Sequence, residues 1–240
     1  MSDLPDAALI LAGGLGTRLR PLTNLIPKPL VRIGGKPIIA HIIDEISRNG
    51  IGTIYVSVGY KAEMIEKYLK SYRSNAKIKI VREKAPLGTG GAVRLAISRI
   101  GTGFNDLFVT NGDDLFTTDI KRMYLFHKSR RCDITICTKK ARNNKELSSS
   151  GVLKLAHGRV VGFVEKPAPS KAPSKFINIG KYIFSSRVAG ILPKQRKFSL
   201  ERDFLERTTS KLKICAYECK GAWYPVDTFE RLRIARSKWH

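Results

Sequence analysis

The first half of the chain alternates short apolar runs with segments whose apolar residues recur every three or four positions. The apolar runs predict β-strands at residues 7–12, 53–58, 77–81, 106–110 and 132–138. The periodic segments predict helices at residues 37–49, 62–72, 90–99 and 119–129. This alternation is typical of a parallel sheet with helices on both faces. We therefore predict an α/β fold, a three-layer sandwich with a mostly parallel central sheet.

The pattern changes after about residue 142. Polar residues 143–150 predict a loop, and residues 151–155 with 159–165 predict a β-hairpin. A further strand is predicted at 176–184, and short helices at 186–192 and 199–208. We interpret residues 1–240 as one domain, with halves of about 1–142 and 143–240.

A glycine-rich loop follows the first predicted strand. Gly13, Gly14 and Gly16 let the backbone turn sharply and approach a ligand, because no Cβ stands in the way. Arg18, and Lys28 between two prolines, add positive charge beside this bare backbone. Polyphosphate binding needs this combination of exposed N–H donors, little bulk and flanking cations. The glycine spacing matches neither the P-loop nor the dinucleotide-binding fingerprint.

Residues 13–29 instead resemble, without a substitution, the G-G-x-G-T-R-L-x-P-L-T…P-K-P motif of the sugar-1-phosphate nucleotidyltransferases. The resemblance continues at residues 83–92, 112–115, 165–167 and 199–204. It implies a Rossmann-like, GT-A-like nucleotidyltransferase fold with a small sugar-binding β region. It also implies that a nucleotidyl group passes from a nucleoside triphosphate to a sugar 1-phosphate, with release of pyrophosphate. Many relatives carry a C-terminal β-helix domain, and over these 240 residues we expect none.

The resemblance also assigns roles to individual residues. Arg18, Lys28 and Asp113 would be catalytic, with Arg18 on the triphosphate and Lys28 on the reacting phosphates. The nucleotide would be bound by Leu11, Ala12, Gly13, Gly14, Gly16, Thr17, Arg18, Glu83, Pro86, Gly88, Thr89 and Asp113. The sugar phosphate would be bound by Gly151, Glu165, Lys166 and Asn178. The implied cofactor is Mg²⁺, with Asp113 as one ligand.

The second metal ligand departs from the family pattern. Most relatives read W-x-D-V-G-T, whereas Pro225 stands here in place of that aspartate. Asp227 comes two residues later, and side chains two apart on a strand point the same way. We therefore predict Asp227 as the second ligand. The change at 225 also keeps open a different class, a catalytically silent regulatory paralogue that binds nucleotide sugar.

The segment 83–92 bears on the choice of base. Its glycines predict a backbone that lies against a planar base, and Gly90 and Gly91 predict an electropositive helix N-terminus. The segment resembles that of guanylyltransferases acting on mannose- and heptose-type phosphates. GTP with mannose 1-phosphate or a manno-heptose 1-phosphate is therefore the predicted pair, and dTTP, UTP or CTP with glucose 1-phosphate stays an alternative.

Charge and composition change this picture little. The 44 Lys plus Arg outnumber the 20 Asp plus Glu, which gives a net charge of +24. Nucleic-acid binding is an alternative reading, but the basic residues are scattered and no recognised motif carries them. No apolar run approaches the ~20 residues that span a bilayer, and no secretory signal is visible. We expect a soluble, cytoplasmic enzyme and keep a homodimer open. Cys132 and Cys137 lie in a predicted strand, and we expect them to be packed thiols in a reducing compartment.

Overall fold

The computed structural model describes residues 3–101 and 103–239. Its first half contains β1 (Ala7–Ala12), α1 (Leu22–Leu25), β2 (Arg32–Ile33), β3 (Lys36–Pro37), α2 (Ile38–Arg48), β4 (Thr53–Val58), α3 (Ala62–Ser71), β5 (Lys77–Arg82), α4 (Gly88–Ile100), β6 (Asp106–Asn111), β7 (Asp114–Phe116), α5 (Ile120–Ser129) and β8 (Ile134–Lys140). The second half contains α6 (Asn144–Ser149), β9 (Gly151–Ala156), β10 (Arg159–Glu165), β11 (Phe176–Ser185), a π-helix (Leu200–Leu205), α7 (Glu206–Thr208), β12 (Ile214–Glu218), β13 (Trp223–Pro225) and α8 (Phe229–Lys238).

The main sheet has nine strands in the order β5-β4-β1-β6-β11-β8-β12-β10-β9. The strands β5, β4, β1 and β6 are parallel to one another, as the alternating pattern predicted. The strands β10 and β11 run opposite to the rest of the sheet. The sheet is therefore parallel from β5 to β6 and mixed beyond it, because β11 lies antiparallel between β6 and β8.

Both faces of the sheet are covered by helices. In β1, Ala8 and Ile10 pack into the core beneath α2, α3, α5 and α8, whereas Leu9 packs into the core beneath α4 and the π-helix. A strand buried on both faces reads as a continuous apolar run, which is how β1 was recognised. The predicted three-layer α/β fold is confirmed. None of the helices in the described ranges is long and apolar enough to cross a membrane.

A buried polar cluster lies at the start of β6. Asp106 accepts hydrogen bonds from Tyr124 Oη at 2.9 Å and Lys128 Nζ at 2.8 Å, and its other oxygen lies 3.2 Å from His127 Nε2. Burial alone would raise the pKa of Asp106, but these hydrogen bonds outweigh it and lower the pKa from 3.8 to about 2. The cluster anchors α5 to the end of β6 that is remote from the ligand side of the sheet.

Some predicted elements are wrong. The predicted loop at 143–150 contains α6, because Asn143 Oδ1 accepts a hydrogen bond from Glu146 N at 3.0 Å and caps a helix. The predicted helix at 186–192 is a short 3-10 turn, and the one at 199–208 is the π-helix followed by α7. The strands β7, β12 and β13 and the helix α8 were not predicted.

The prediction that Cys132 and Cys137 are packed thiols is wrong for Cys132 and confirmed for Cys137. Cys132 and Cys215 form a disulfide with Cα atoms 6.1 Å apart, whereas Cys137 and Cys219 are buried and free. Residues 132 and 215 are far apart in the chain but close in space, because β8 and β12 pair in parallel. The spacing of the cysteines along the sequence does not reveal this pairing.

Candidate active site

A cavity of about 670 Å³ opens at the carboxyl ends of the parallel strands. It is bounded by the glycine loop after β1, Gly59 and Tyr60 after β4, Glu83 after β5, and Asp113 after β6. Ligands of open α/β sheets bind at this edge. Lys28 and Asp227 line this cavity. So do all the residues predicted to bind the nucleotide, namely Leu11, Ala12, Gly13, Gly14, Gly16, Thr17, Arg18, Glu83, Pro86, Gly88, Thr89 and Asp113.

The glycine loop is held in one shape by its own contacts. Gly16 has a φ of +62°, a left-handed conformation, and its carbonyl accepts a hydrogen bond from Thr23 Oγ1 at 2.9 Å. A Cβ on Gly16 would lie 3.0 Å from Thr23 and 3.2 Å from Lys28. Gly13 packs more closely still, against the residue that follows β5, because a Cβ on Gly13 would lie 2.3 Å from Glu83 Oε1. The loop therefore requires glycine for contacts within the protein as well as for room beside a ligand.

The predicted phosphate-binding cations are paired with the predicted metal ligands. Lys28 Nζ lies 2.7 Å from Asp113 Oδ2, and Arg18 Nη1 pairs with Asp227 Oδ2. Arg231 Nη1 binds the other oxygen of Asp227 at 2.8 Å. Burial raises the pKa of Asp113, but the neighbouring Lys28 ammonium outweighs this and lowers the pKa below its usual value. Asp113 is therefore ionised at neutral pH, as a metal ligand must be.

Asp227 reaches the cavity in a different way from the one predicted. The strand β13 ends at Pro225, which pairs with Asp114 of β7, so the alternation of side chains along a strand does not extend to Asp227. Asp227 lies instead in the turn before α8, whose N-cap is Thr228. Arg231 in the first turn of α8 then fixes the carboxylate over the cavity.

The residues present fit a Mg²⁺ ion whose coordination shell is completed by the substrate. Asp113 and Asp227 both line the cavity, and so does Asn111, whose buried Oδ1 has no hydrogen-bond partner among the residues that the structure describes. Hard oxygen donors of this kind suit Mg²⁺, which proteins commonly hold with one or two carboxylates plus substrate phosphates. Within residues 3–101 and 103–239, no cluster of three or more His, Cys, Asp or Glu forms a complete cage. A nucleotide phosphate would have to supply the remaining ligands.

The glycines of the segment 83–92 do not all lie against a ligand. Gly88 and Thr89 line the cavity, but Gly90 and Gly91 donate their N–H groups to Phe198 O at 3.0 and 3.3 Å. We predicted that Gly90 and Gly91 contact the base and form an open helix N-terminus. This prediction is wrong, because residues 196–198 occupy the space beside both glycines. The helix α4 also begins at Gly88, two residues earlier than predicted.

The predicted sugar-phosphate residues lie outside the main cavity but close to one another. Gly151 is paired with Glu165 across the β9–β10 hairpin, and a Cβ on Gly151 would lie 2.9 Å from Glu165 Oε2. Lys166 Nζ lies 3.2 Å from Glu165 Oε1, and the buried Asn178 donates to Tyr182 Oη at 2.7 Å. Burial, reinforced by nearby Glu201, raises the pKa of Glu165, while Lys166 opposes the shift.

A hydrogen-bonded chain joins these residues to the nucleotide cavity. Thr89 Oγ1, at the cavity wall, donates to Glu201 Oε2 at 2.8 Å. Tyr182 Oη donates to Glu201 Oε1 at 3.3 Å and accepts from Asn178. Glu201 lies in the segment 199–204 that the family resemblance singled out. Its linking role was not predicted, nor was that of Tyr182; the cavity positions of Asn111, Tyr60 and Lys197 were not predicted either.

A glycine loop, cations and carboxylates at the carboxyl edge of parallel strands are typical of nucleotide-binding α/β enzymes. A family model described as nucleotidyl transferase matches residues 7–239. The chain belongs to this family, and the predicted resemblance to sugar-1-phosphate nucleotidyltransferases is confirmed.

Three individual members of this family are similar to the chain. The chain is 36% identical over 200 residues to D-glycero-alpha-D-manno-heptose 1-phosphate guanylyltransferase of Aneurinibacillus thermoaerophilus, covering 83% of this chain and 84% of the relative. It is 35% identical to the mannose-1-phosphate guanylyltransferase catalytic subunit beta of Xenopus tropicalis, covering 91% of this chain but 60% of the relative. HddC from Yersinia pseudotuberculosis, solved in complex with GMP-PN, is 31% identical with a TM-score of 0.81, and the match covers 98% of this chain and 99% of HddC.

Proposed function

We propose that this chain is a Mg²⁺-dependent guanylyltransferase that converts GTP and mannose 1-phosphate or a manno-heptose 1-phosphate into a GDP-sugar and pyrophosphate. The observation that carries the proposal is the cavity at the carboxyl edge of the sheet, where Arg18 and Lys28 face Asp113 and Asp227. The names of the guanylyltransferase relatives support the same donor and acceptor.

The chemistry requires two anions to meet and the developing charge to be neutralised. A sugar 1-phosphate oxygen attacks the α-phosphorus of GTP, and pyrophosphate leaves in line. Arg18 and Lys28 exchange their carboxylate partners for phosphate oxygens and stabilise the transition state. Asp113 and Asp227 would hold Mg²⁺, which when bound would supply further positive charge at the triphosphate. Because little acid–base work is needed, positioning and charge account for the catalysis.

Glu83 is the residue that supports guanine. Its side chain lies in the cavity wall after β5, where it accepts hydrogen bonds from Ser57 Oγ at 2.9 Å and from Leu87 N at 3.4 Å. Burial raises the pKa of Glu83, and these two donors partly compensate. A carboxylate has acceptor capacity left for guanine, which offers neighbouring N1–H and N2–H donors on one edge. Gly90 and Gly91 no longer support guanine, because their N–H groups bind Phe198 O and not a ligand. Glu83 supports guanine in their place.

The buried Glu165 Oε2 supports a sugar subsite in the second half. Within the described ranges 3–101 and 103–239 this oxygen has no hydrogen-bond partner, and buried polar atoms in native proteins normally have one. A sugar hydroxyl would provide the missing donor, while the adjacent Lys166 would bind the sugar's phosphate. The predicted roles of Gly151 and Asn178 remain part of this proposal, with Gly151 leaving room beside Glu165.

The alternative hypothesis of a catalytically silent regulatory paralogue loses support, because Asp227 lines the cavity despite the change at position 225. The single-domain division, the cytoplasmic location and the homodimer stay predictions. Size-exclusion chromatography with light scattering tests the oligomeric state.

Pyrophosphate release with Mg²⁺, measured for each nucleoside triphosphate against a panel of sugar 1-phosphates, tests the proposed reaction. We expect turnover with GTP and a manno-configured acceptor. Turnover confined to another triphosphate would retain the mechanism and reject guanine. No pyrophosphate release with any pair of substrates would reject the proposal that the chain is a nucleotidyltransferase.

A further inference from the structure

Arg231, in the first turn of α8, binds two side chains at once. Its Nη1 atom donates to Asp227 Oδ1 at 2.8 Å, and its Nη2 atom donates to Ser149 Oγ at 3.1 Å. The Arg231 side chain is 15% exposed, so water competes little for either contact. Because a guanidinium carries its donors in a rigid planar fork, the two partners are held at a fixed separation.

The second partner of Arg231 leads to the proposed sugar subsite. Ser149 is the last residue of α6, and the next residue, Ser150, accepts a hydrogen bond at its carbonyl from Lys166 N at 3.1 Å. Lys166 is the residue that would bind the sugar's phosphate. We call residues 149–151 the acceptor segment. Arg231 therefore connects the carboxylate that lines the nucleotide cavity to this acceptor segment.

Few other contacts support this connection between α6 and α8. Residues of both helices line a cavity of about 330 Å³, and Arg231 forms part of its wall. A second ion pair, between Lys145 of α6 and Glu230 of α8, also links the two helices, but both of its side chains are exposed. Exposed ion pairs contribute little energy. The Arg231 bridge is therefore the firmer of these two links.

We propose that Arg231 is a positioning residue that holds the acceptor segment in register with Asp227, so that the bound sugar 1-phosphate faces the α-phosphate of the nucleotide. The inference rests on the proposed function, because it concerns the acceptor of that reaction. Arg18 occupies the other Asp227 oxygen and is the cation that would move to the nucleotide. Arg231 can therefore keep both of its partners while substrates bind, which preserves the geometry that in-line attack requires.

The test compares Ser149→Ala with Ser148→Ala. Both delete one hydroxyl near the end of α6, but Ser148 is exposed and its Oγ donates only to Lys145 O, at 3.3 Å, among the contacts of the described residues. Calorimetry measures binding of GTP alone. It also measures binding of mannose 1-phosphate, or of the acceptor with the highest wild-type turnover, to protein saturated with a GTP analogue that has carbon between its α- and β-phosphorus.

We expect acceptor binding to weaken about tenfold in Ser149→Ala, the size of one hydrogen bond to a charged group. GTP binding should change no more than about twofold, and Ser148→Ala should change neither affinity by more than that. A selective loss of acceptor affinity would not follow from general destabilisation, which thermal unfolding measures separately. Ser149→Ala and Ser148→Ala with equal acceptor affinities would overturn the role of the bridge.

A double-mutant cycle tests whether Ser149 acts through Arg231. In the Arg231→Met background, Ser149→Ala should cause no further loss of acceptor affinity, because the contact is already absent. Arg231→Lys should resemble Ser149→Ala, since one ammonium keeps the charge beside Asp227 without the fork that spans both partners. Arg233→Met, which removes an exposed arginine from the same helix, is the control. Additive losses from Arg231→Met and Ser149→Ala would overturn the proposed route.

The outcomes also separate the inference from the function on which it rests. Normal wild-type turnover, with acceptor affinity unchanged in Ser149→Ala, would overturn the role of Arg231 alone. Absence of wild-type turnover with every sugar 1-phosphate would overturn the proposed function and the inference together.

Discussion

Arg18→Ala should have opposite effects on metal binding and on nucleotidyl transfer. In the nucleotide-free chain the Arg18 guanidinium pairs with Asp227, so a protein cation competes with Mg²⁺ for a carboxylate that we propose as its ligand. Removing Arg18 frees one Asp227 oxygen, while Arg231 still holds the other at 2.8 Å. The Arg18 side chain is 57% exposed, and an exposed pair of this kind is worth about 0.5–1 kcal/mol. That energy corresponds to a rise in metal affinity of about two- to fivefold.

Nucleotidyl transfer should fall instead, by about 100-fold or more, if Arg18 stabilises the transition state as an oxyanion donor does. Electron paramagnetic resonance with Mn²⁺ on nucleotide-free protein measures the first effect, and pyrophosphate release measures the second. Arg20→Ala is the matched control, because Arg20 is exposed in the same loop and outside the cavity. Weaker Mn²⁺ binding by Arg18→Ala, or a loss confined to KM with kcat intact, would refute the reasoning.

Three further changes test other parts of the structure. Glu83→Gln should lower kcat/KM with GTP about tenfold and spare dTTP, because an amide cannot accept both guanine donors with one oxygen; an equal loss with both triphosphates would contradict base reading by Glu83. The free energy of unfolding should fall by about 2 kcal/mol as the pH drops from above 3.8 through about 2, since the depressed pKa of Asp106 contributes stability only above its unfolded value. Urea titrations of Asp106→Asn should show a flatter pH dependence, and an unchanged slope would count against the cluster. Alkylation under denaturing, non-reducing conditions should modify two cysteines, and four after reduction; four in both would contradict the pairing of Cys132 with Cys215.

Local patterns were sufficient for the parallel half of the fold. The strands β1 and β4 match their predicted ranges because each is a continuous apolar run between turns. The strand β12 and the pairing of β7 with β13 were missed because they depend on partners about 80 and 110 residues away, which no short window contains.

The site shows the same division between local and distant information. The predicted nucleotide residues line one cavity because they lie at the carboxyl end of β1 or in the segments that follow β1, β5 and β6. Gly90 and Gly91 were misinterpreted because a glycine indicates a close neighbour without identifying it, and here that neighbour is residues 196–198. Lys197 was interpreted as part of a scattered surface charge, because the sequence does not show that residues 196–198 pack against α4 beside the cavity.

The most direct test of the central claim follows the α-phosphate. Protein is incubated with Mg²⁺, mannose 1-phosphate and GTP labelled at the α-phosphorus, and the products are separated by chromatography. The proposed reaction predicts that the label appears in a GDP-sugar while the released pyrophosphate stays unlabelled, and that Asp113→Asn abolishes both products. Label recovered as GMP, or remaining in GTP with every sugar 1-phosphate offered, would contradict the claim that this cavity transfers a nucleotidyl group to a sugar phosphate.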